Sequence, residues 1–562
     1  MRSGQGMDDH RTTAGPDPTG DLAFIPLGGT GEIGMNLNVY RCDGALLAVD
    51  CGLGFAGPDQ PETDVMVPDP GWLADNRSAL VGLIITHAHE DHIGAVVHLW
   101  RQLRCPIFGT GFVLSVLRRK LSEAGMLKEV KLELLQPGGR IKLGPFDCGF
   151  LPVTHSIPEA QALVLRTPYG LVLHTGDWKL DPKPLIGPPT DEAAFAKLGE
   201  EGVLAMVCDS TNAMVDGHSG SEAEVRQSLT ELIKGLKGRV AVTCFASNVA
   251  RLASIAVAGR AAGRQVALFG RSLRNIEASA RECGYLADLP PFLDEEEAGF
   301  LPDDEILLIC TGSQGEPRSA TAKIAEDTHP SIALGEGDTV IFSSRQIPGN
   351  EVAIQRVQDG LVRRGCRVIT DADVMVHVSG HPARAELTRL YELVKPRISV
   401  PVHGEWRHLQ AHADLARSCG AKPILLNDGD VLRLSGQRPE IVEAVPSGRL
   451  AVDGERLLPL DGGVISSRRR MMFNGAVLVS VAVDRQGRVL SDPRISAPGL
   501  FDAGENETEQ MAAELKRSIS DLPAGLRQED ETLKEAMRTA LRKTLGRRLK
   551  KRPAIEIHLI RV

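Results

Sequence analysis

The sequence is poor in aromatic residues and lacks any long apolar run. Aromatic side chains make up 4% of the 562 residues. No uninterrupted apolar segment approaches the roughly 20 residues that a membrane-spanning helix needs. The first twenty residues are polar and rich in Gly, Pro and Asp, without the apolar core of a signal peptide. The sequence therefore predicts no membrane span, and a disordered tail at residues 1–20.

Paired cysteines and an excess of positive charge are also absent. The ten cysteines are scattered singly, without a CxxC pair, and several lie in apolar runs such as VLAMVCD and ILLIC. This distribution predicts reduced, buried thiols and a cytoplasmic protein. The net charge of −9 gives no general attraction to nucleic acid, so binding of a polyanion would require a local positive surface.

The chain is too long for one hydrophobic core, and about two to four domains are expected. Residues 21–215 alternate short apolar runs such as LAFIPLGG and LVGLIITH with turn residues, which predicts an α/β sandwich. Residues 216–370 contain repeated strand-helix units, beginning with SEAEVRQSLTELIKGL and VAVTCFAS, which predict a second α/β domain.

The segments DADVMVHVSGH and RISVPVHGE repeat the strand-then-histidine pattern of the first region. Residues 371–445 are therefore predicted to return to the first domain, which makes the second domain an insertion. Residues 446–562 contain a linker, a β-rich segment (MMFNGAVLVSVAVDRQGRVL) and a helix that ends in a basic run. They are predicted to form a small α+β C-terminal domain.

The densest group of reactive side chains is THAHEDHIGA, directly after the apolar run LVGLIIT. Residues two apart in a turn can face the same ion, so His87 and His89 are predicted to share one metal. Asp91 and His92 would turn toward a second. Ligands this close together would repel one another and titrate abnormally unless a cation held them.

Three further ligand candidates each follow an apolar strand: His155 in LPVTHSIP, Asp177 in LVLHTGDW and His403 in ISVPVHGE. Ligands at strand ends are what a site at one rim of a sheet requires. Other histidines fit their secondary structure better: His98, His408 and His412 lie in helical patterns, and His174 is interpreted as a strand residue.

The order HxHxDH, a later His, a later Asp and a final His resembles the motif set of the metallo-β-lactamase superfamily. The resemblance implies an αββα sandwich with two zinc ions, although Mn²⁺ or Mg²⁺ could occupy such ligands. Asp50 in LLAVDCG matches the aspartate of the superfamily's first motif, which would orient a ligand histidine. By resemblance, one metal is held by His87, His89 and His155, the other by Asp91, His92 and His403, and Asp177 bridges them.

The predicted insertion narrows the substrate, because the β-CASP nucleases of this superfamily carry an inserted domain at the same place. Their three additional motifs match Asp209 in CDSTNA, His381 in HVSGHPARAE and His403 in PVHGE. Stretches such as PLGGTGEIGMN, CFASNVARL, CTGSQGEP and IPGNE resemble ribonuclease J in particular. The resemblance implies 5′-to-3′ exonuclease action on RNA with a 5′-monophosphate and some internal cleavage. Asp209 and His381 would be general acid and base, in an order that the sequence leaves open.

Several segments are candidates for contacts with RNA. His377, Ser379 and His381 alternate along a predicted strand end and could converge on one phosphate, although Ser379 could instead belong to a simple tight turn. The loop CFASN, with Phe245, Ser247 and Asn248, could cradle phosphates or be an ordinary connection. The basic run from Arg538 to Arg552 could contact phosphates or form a solvated helix face.

The family's C-terminal domain is associated with oligomer assembly, so a homodimer or homotetramer is expected, and an RNA-degradation complex is a further partner to consider. Alternative interpretations of the function are also considered. GTGEIG fits a dinucleotide-binding pattern, but a hairpin-like segment follows where a helix is needed, which favours a tight turn. A lactonase-type or glyoxalase-type hydrolase would lack the insertion and HVSGH. A non-catalytic relative would lack metal ligands, and only the ribonuclease J-like stretches oppose a DNA-cleaving β-CASP enzyme.

Overall fold

A computed structural model describes residues 21–57, 60, 63–347, 349–436, 438–502 and 506–562. The predicted tail at residues 1–20 lies outside the described residues. The chain forms two compact units: the first comprises the described residues up to Phe55 together with Val65–Arg449, and the second comprises Ala56–Asp64 and Leu450–Val562. Among the described helices, none is long and apolar enough to cross a membrane.

The first unit contains an eight-stranded mixed sheet. Its central strands are apolar and buried along their whole length, as Leu22–Gly28 illustrates. This pattern is expected for a sheet that is covered on both faces. In spatial order the strands are Glu440–Ala444, Asp430–Arg433, Leu22–Gly28, Leu37–Cys42, Ala45–Val49, Leu80–Ile84, Ile107–Gly109 and Leu132–Leu134.

A second sheet of seven strands faces the first. Its early strands are antiparallel neighbours, whereas Gly170–His174, Val203–Asp209 and Ile398–Val402 run parallel. Parallel strands place their carboxyl ends at the same edge. In spatial order the strands are Arg140–Leu143, Phe146–Pro152, Gln161–Thr167, Gly170–His174, Val203–Asp209, Ile398–Val402 and Lys422–Pro423.

The two sheets enclose one hydrophobic core, in which Phe24 and Tyr40 from the first sheet pack with Phe146 and Val207 from the second. A further core joins the second sheet to three helices through residues such as Leu387 and Leu415. The result is the αββα sandwich expected from the sequence. Its helices are Gly71–Asp75, Glu90–Ile93, Val96–Leu103, Gly111–Glu123, Glu192–Glu201, Arg384–Val394 and Trp406–Ser418, with a 3₁₀ turn at Arg77–Ala79.

The predicted insertion forms a parallel five-stranded sheet with its own apolar core, which includes Phe269, Leu308 and Phe342. Its strands, in spatial order, are Gln265–Phe269, Ile306–Cys310, Val240–Thr243, Thr339–Phe342 and Arg367–Ile369. Its helices are Glu222–Lys234, Val249–Ala261, Arg271–Glu282, Glu295–Ala298, Ala320–Ala325 and Glu351–Arg363, with a 3₁₀ turn at Asp303–Glu305.

Short paired strands complete the first unit. Thr30–Gly31 pairs with Gly404–Glu405, and Gly54–Phe55 pairs with Val65–Pro68. Gly29, Gly31 and Gly34 all have positive φ, and the strand Leu37–Cys42 follows them. This confirms the tight turn predicted for GTGEIG and excludes the dinucleotide-binding reading.

One strand prediction is wrong. The segment DADVMVHVSGH forms no strand: residues 371–374 turn, and residues 375–379 run as a loop without sheet pairing. The carbonyl of Val376, which a strand would pair with its neighbour, instead accepts hydrogen bonds from Ser343 Oγ at 2.6 Å and from the Arg251 guanidinium at 3.1 Å. The ten cysteines are free thiols and eight are buried, as predicted.

The second unit contains a three-stranded sheet in the order Arg494–Ser496, Ala476–Val483 and Ala554–Arg561. The helices Glu507–Ser520 and Asp530–Leu549 pack on one face of it through residues such as Leu515 and Leu541. The prediction that MMFN begins a strand is wrong, since these residues end the helix Gly463–Asn474 and the strand starts two residues later. The unit also contains the helix Ala524–Arg527 and the hairpin strands Arg449–Asp453 and Arg456–Pro459.

Candidate metal centre

The predicted ligands lie where strands of the two facing sheets end. His87 and His89 follow Leu80–Ile84 in the first sheet. In the second sheet His155 follows Phe146–Pro152, Asp177 follows Gly170–His174, and His403 follows Ile398–Val402. The strands thereby bring side chains that are up to 316 positions apart in the sequence to one rim of the sandwich.

One set of ligand atoms comprises His87, His89, His155 and Asp177, and all four lie within 4.8 Å of one another. His89 Nδ1 lies 3.2 Å from His87 Nε2 and 3.0 Å from His155 Nε2. Asp177 Oδ2 lies 3.7 Å from His87 Nε2 and 3.8 Å from His155 Nε2. The three imidazoles therefore point their nitrogens at a common centre.

A second set comprises Asp91, His92, Asp177 and His403, again within 4.8 Å. His92 Nε2 lies 3.2 Å from Asp177 Oδ2, and His403 Nε2 lies 3.0 Å from Asp91 Oδ2. Asp177 belongs to both sets. The structure thus groups the seven residues in the two sets that the resemblance implies, with Asp177 between them.

The outer nitrogen of four histidines is held by a neighbouring group. Asp50 Oδ2 lies 2.8 Å from His92 Nδ1, and Asp50 also accepts hydrogen bonds from the backbone and hydroxyl of Thr86. Three further contacts complete the pattern: Thr86 Oγ1 to His87 Nδ1 at 3.1 Å, the Gly380 carbonyl to His155 Nδ1 at 2.6 Å, and Thr211 Oγ1 to His403 Nδ1 at 2.8 Å. Such partners fix ring orientation and tautomer, so that Nε2 faces the centre.

The electrostatics of the site fit a divalent cation. Burial, followed by the neighbouring imidazoles, lowers the pKa of His87 and His155 well below the usual value. Burial also lowers the pKa of His89 to about 4, although Asp91 and Asp177 oppose this shift. These rings are neutral, with lone pairs directed at one another. Burial alone would raise the pKa of Asp177, but His403 and His92 hold it below the usual range. In the first set, neutral imidazoles beside an ionised carboxylate form the nitrogen and oxygen donors that zinc prefers. In the second set, burial alone would lower the pKa of His92 and His403, but Asp177 and the neighbouring carboxylates raise it well above the usual value.

A histidine-carboxylate pair borders the two ligand sets. His381 Nδ1 lies 2.8 Å from Asp209 Oδ2 and 3.8 Å from Asp177 Oδ2. Asp209 is buried at the end of its strand, and its Oδ1 accepts from the backbone N and the hydroxyl of Thr211. The His381 side chain is 22% exposed, so a substrate can reach it. Asp209 and His381 are therefore placed to exchange a proton with a ligand held at the metal centre.

The candidate binding residues of HVSGH lie in the loop beside this pair. Arg251 donates to His377 Nδ1 at 3.3 Å, which leaves the proton of this ring on Nε2. Ser379 Oγ accepts from Asn212 Nδ2 and from the backbone N of His381, so its own hydroxyl proton can be donated elsewhere. Both side chains thus offer donors, although not from alternate positions of a strand as predicted.

The CFASN loop leads into the helix Val249–Ala261. Phe245 and Ser247 are half-buried. Asn248 is buried and caps the helix through Arg251 N, and its amide donates to Glu222 Oε1 at 3.2 Å. The Asn248 side chain is therefore engaged within the protein.

The histidines assigned to secondary structure lie outside the two ligand sets. His98, His408 and His412 are helical, and His174 ends a strand with its Nδ1 3.0 Å from the Tyr40 hydroxyl. His412 is buried between Ser210 and Tyr391, at 2.9 Å from each hydroxyl. These positions agree with the interpretation of their sequence patterns.

Four protein-family models match successive parts of the chain. They are a β-lactamase superfamily domain at residues 47–218, the ribonuclease J β-CASP domain at 237–361, a Zn-dependent metallo-hydrolase RNA specificity domain at 366–426, and the ribonuclease J C-terminal domain at 463–562. Ribonuclease J of Sinorhizobium meliloti is 44% identical over 96% of this chain and 98% of its own length.

This chain belongs to the ribonuclease J family. It is a metallohydrolase of the nuclease type. Ribonuclease J of Mycolicibacterium smegmatis is 40% identical over 96% of this chain and 97% of its own, and ribonuclease J2 of Bacillus subtilis is 34% identical over 96% and 98%. A crystal structure of an Enterococcus faecalis protein of unknown function has a TM-score of 0.52 at 18% identity, covering 74% of this chain and 100% of that one, which shows the fold alone.

Within this ribonuclease J-family site, the sequence did not single out Thr211, Asn212 and Asn36. Thr211 joins His403 to Asp209, and Asn212 holds Ser379. Asn36 Nδ2 donates to the Asp91 carbonyl and lies 3.1 Å from His92 Nε2. All three lie inside motifs that the sequence displays, CDSTNA and GEIGMN, but their partners are remote along the chain and could not be assigned.

Proposed function

We propose that this chain hydrolyses phosphodiester bonds of RNA from the 5′ end toward the 3′ end, prefers a 5′-monophosphate, and also cleaves internally. Such an enzyme would act in RNA maturation and decay. The observation that carries the proposal is the pair of ligand sets that share Asp177 beside the Asp209–His381 pair. The names of the relatives support RNA as the substrate.

Two zinc ions per subunit fit the two ligand sets, one with His87, His89 and His155 and the other with Asp91, His92 and His403. Mn²⁺ or Mg²⁺ could replace them. When bound, such ions supply Lewis-acid stabilisation of the negative charge that develops on the attacked phosphate. Asp50, Thr86 and Gly380 orient the imidazoles and so pre-arrange the ligands.

The hydrogen bonds divide the acid-base roles. Burial alone would raise the pKa of Asp209, but His381 and its other donors hold it well below the usual range. Asp209 therefore remains ionised and orients His381 through Nδ1. His381 Nε2 is then the atom that holds the exchangeable proton, and we assign it the delivery of a proton to the departing oxygen.

The HVSGH loop would hold the 5′-phosphate. His377 offers an N–H and Ser379 an O–H beside His381. Both donors are uncharged, so a phosphate can bind them without the desolvation of a charged side chain. A terminal phosphate fixed there would place the first phosphodiester bond at the metal centre. The backbone of Phe245 and Ser247 is a further candidate for phosphate contacts.

The test uses three forms of one labelled RNA, with a 5′-monophosphate, a 5′-triphosphate or a 5′-hydroxyl, and a circular RNA for internal cleavage. The protein is stripped of metal with a chelator and assayed with and without added zinc or manganese. We expect mononucleotides from the monophosphate RNA only when metal is present, and at least a 100-fold loss in His381→Ala. The matched control is His98→Ala, a helical histidine, which we expect to retain activity.

The proposal fails if the metal-loaded wild-type protein leaves all four RNAs intact. Cleavage of the circular RNA alone would instead refute the exonuclease part. Retained exonuclease activity in His381→Ala would refute the role of that side chain.

The remaining expectations stay proposals. We propose the boundaries 21–215 and 371–445 for the catalytic domain, 216–370 for the insertion and 446–562 for the linker and C-terminal domain. A cytoplasmic location is supported by the ten free thiols. A homodimer or homotetramer, and a place in an RNA-degradation complex, rest on family membership.

A further inference from the structure

One end of the second unit carries five exposed cations. They lie in the last turns of the helix Asp530–Leu549 and in the loop after it, and we call them the basic end: Lys543, Arg547, Lys550, Lys551 and Arg552. Residues 450–562 contain 20 Lys and Arg against 16 Asp and Glu, although the whole chain has a net charge of −9. Residues 450–562 therefore have a net positive charge, which the three acids of residues 56–64 in the same unit reduce to near neutrality, so the excess is local to part of the unit.

Other arginines of the same helix differ from the basic end because they form ion pairs with nearby glutamates. Arg538 and Arg542 pair with Glu535, and Arg548 pairs with Glu507 and Glu514. Among the residues that the structure describes, no carboxylate lies within ion-pair distance of the five cations. The basic run from Arg538 to Arg552 thus consists of a helix face whose cations are ion-paired and the basic end, whose cations are not.

Exposed apolar side chains lie directly beside the basic end. The helix Gly463–Asn474 ends with Met472 and Phe473, which are 51% and 62% exposed. Asn474 Oδ1 accepts from the backbone N of Arg552 at 3.3 Å, and Ala554 N donates to the Gly475 carbonyl at 3.2 Å. These bonds hold the end of this helix, which carries Met472 and Phe473, against the loop that carries the cations.

Two of the cations share a helix face, and three lie at or after the end of the helix. Lys543 and Arg547 are four residues apart and so lie on one helix face, about 6 Å along the axis. Lys550 adopts a left-handed conformation with φ of 53° and turns the chain toward the next strand. The helix dipole favours cations in the last turn, but Lys550, Lys551 and Arg552 lie at or beyond the end of the helix.

We propose that the basic end and Phe473 form a binding surface for single-stranded RNA, separate from the metal centre. The inference rests on the proposed function, since it assumes that RNA is the substrate. Unpaired, exposed cations bind phosphates without regard to sequence, and an exposed aromatic ring stacks on any base. The surface would retain long RNA during successive cleavages without taking part in the chemistry.

The test measures binding of a labelled 20-nucleotide oligouridine to the full-length, metal-free protein between 50 and 200 mM KCl. The variant combines Lys543→Gln, Lys550→Gln and Lys551→Gln. Each phosphate contact contributes about 0.7 to the slope of log K against log salt, so three lost contacts should reduce the slope by about 2. At 0.1 M salt we expect binding to be about 10- to 100-fold weaker.

The matched control removes the same charge elsewhere on the unit, from exposed cations without an ion-pair partner among the described residues, through Arg485→Gln, Arg494→Gln and Arg517→Gln. Arg485 follows the strand Ala476–Val483, whose other end adjoins the basic end. We expect the control to bind as the wild type does. Phe473→Ala should weaken binding about tenfold without changing the salt slope, because stacking releases no counterions.

Equal affinity and slope in the two triple variants would overturn the proposal. A change of oligomeric state in the basic-end variant with unchanged RNA binding would also overturn it, and would assign the surface to a protein contact. The turnover rate at saturating RNA should stay at the wild-type value while KM for long RNA rises. Absence of RNA cleavage by the wild type would refute the proposed function separately, without altering the binding result.

Discussion

Replacing Thr211 by valine keeps the branched shape of the side chain and removes one hydroxyl group. That hydroxyl lies 2.7 Å from Asp209 Oδ1 and 2.8 Å from His403 Nδ1. It donates its proton to the ionised carboxylate and accepts the N–H of the imidazole. The hydroxyl therefore keeps the proton of His403 on Nδ1 and leaves the lone pair of Nε2 toward the metal centre.

The expected loss follows from these bonds. Loss of a group that orients a ligand imidazole typically weakens metal binding by about 10- to 100-fold, which corresponds to about 1.4–2.7 kcal/mol. Asp209 keeps its hydrogen bond from Thr211 N at 2.9 Å. The main effect of the substitution is therefore that His403 Nδ1 loses its hydrogen-bond partner. We expect Thr211→Val to weaken zinc binding at the set containing Asp91, His92 and His403 by about 10- to 100-fold.

The assay measures zinc per subunit after equilibration with buffers of defined free zinc, together with kcat/KM on monophosphate RNA. Thr211→Ser is the matched control, because it retains the hydroxyl and loses only a methyl group. Zinc binding near the wild-type level in the serine variant, and reduced binding in the valine variant, would support the hydroxyl's role. Equal zinc content in wild type and Thr211→Val across the titration would refute the reasoning, whatever the effect on activity.

Two further changes test the energetics of buried charges. Arg251→Met leaves the Glu222 carboxylate buried without its partner at 2.8 Å, so we expect the free energy of unfolding to fall by about 3–5 kcal/mol in urea titrations. The double variant Arg251→Met with Glu222→Met should lose less free energy of unfolding than Arg251→Met alone. A larger loss in the double variant would contradict this account. Burial, and then the Glu32 carboxylate, raise the pKa of Asp428 to about 7, above its unfolded value near 4. The proton-linked stabilisation is complete below about pH 4 and is lost as pH rises through 7. We therefore expect Asp428→Asn to melt at a higher temperature than the wild type at pH 8 but not at pH 4. An equal difference in melting temperature at the two pH values would disprove this account.

The strands and the ligand clusters were predictable because both depend on local patterns. Apolar runs such as LVGLIIT end at the residue where a polar side chain must leave the sheet, and each ligand follows such a run. The alternation of strands and helices between residues 216 and 370 likewise predicted a second α/β region, and the structure contains a parallel sheet with helices there.

The failures involve partners that are remote along the chain. VMVHV has the composition of a strand, but Ser343 and the buried Arg251 take the Val376 carbonyl that pairing would need. The residues MMF are apolar, which favoured a buried strand. In the structure they lie near the end of a helix, and their side chains are exposed. The role of Thr211 depends on His403, which is 192 positions away, and no local pattern reports such a contact.

The bond between the Gly380 carbonyl and His155 Nδ1 has a consequence for biosynthesis. A ribosome releases His87 and His155 long before it has added Gly380 and His403. The entire insertion is synthesised between these points, and until then His155 lacks its orienting carbonyl and the second ligand set lacks an imidazole. A nascent or truncated chain therefore displays histidines but no finished cleavage centre. The metal centre is therefore completed only after the segment that carries Gly380 and His403 has been synthesised and has reached the first domain.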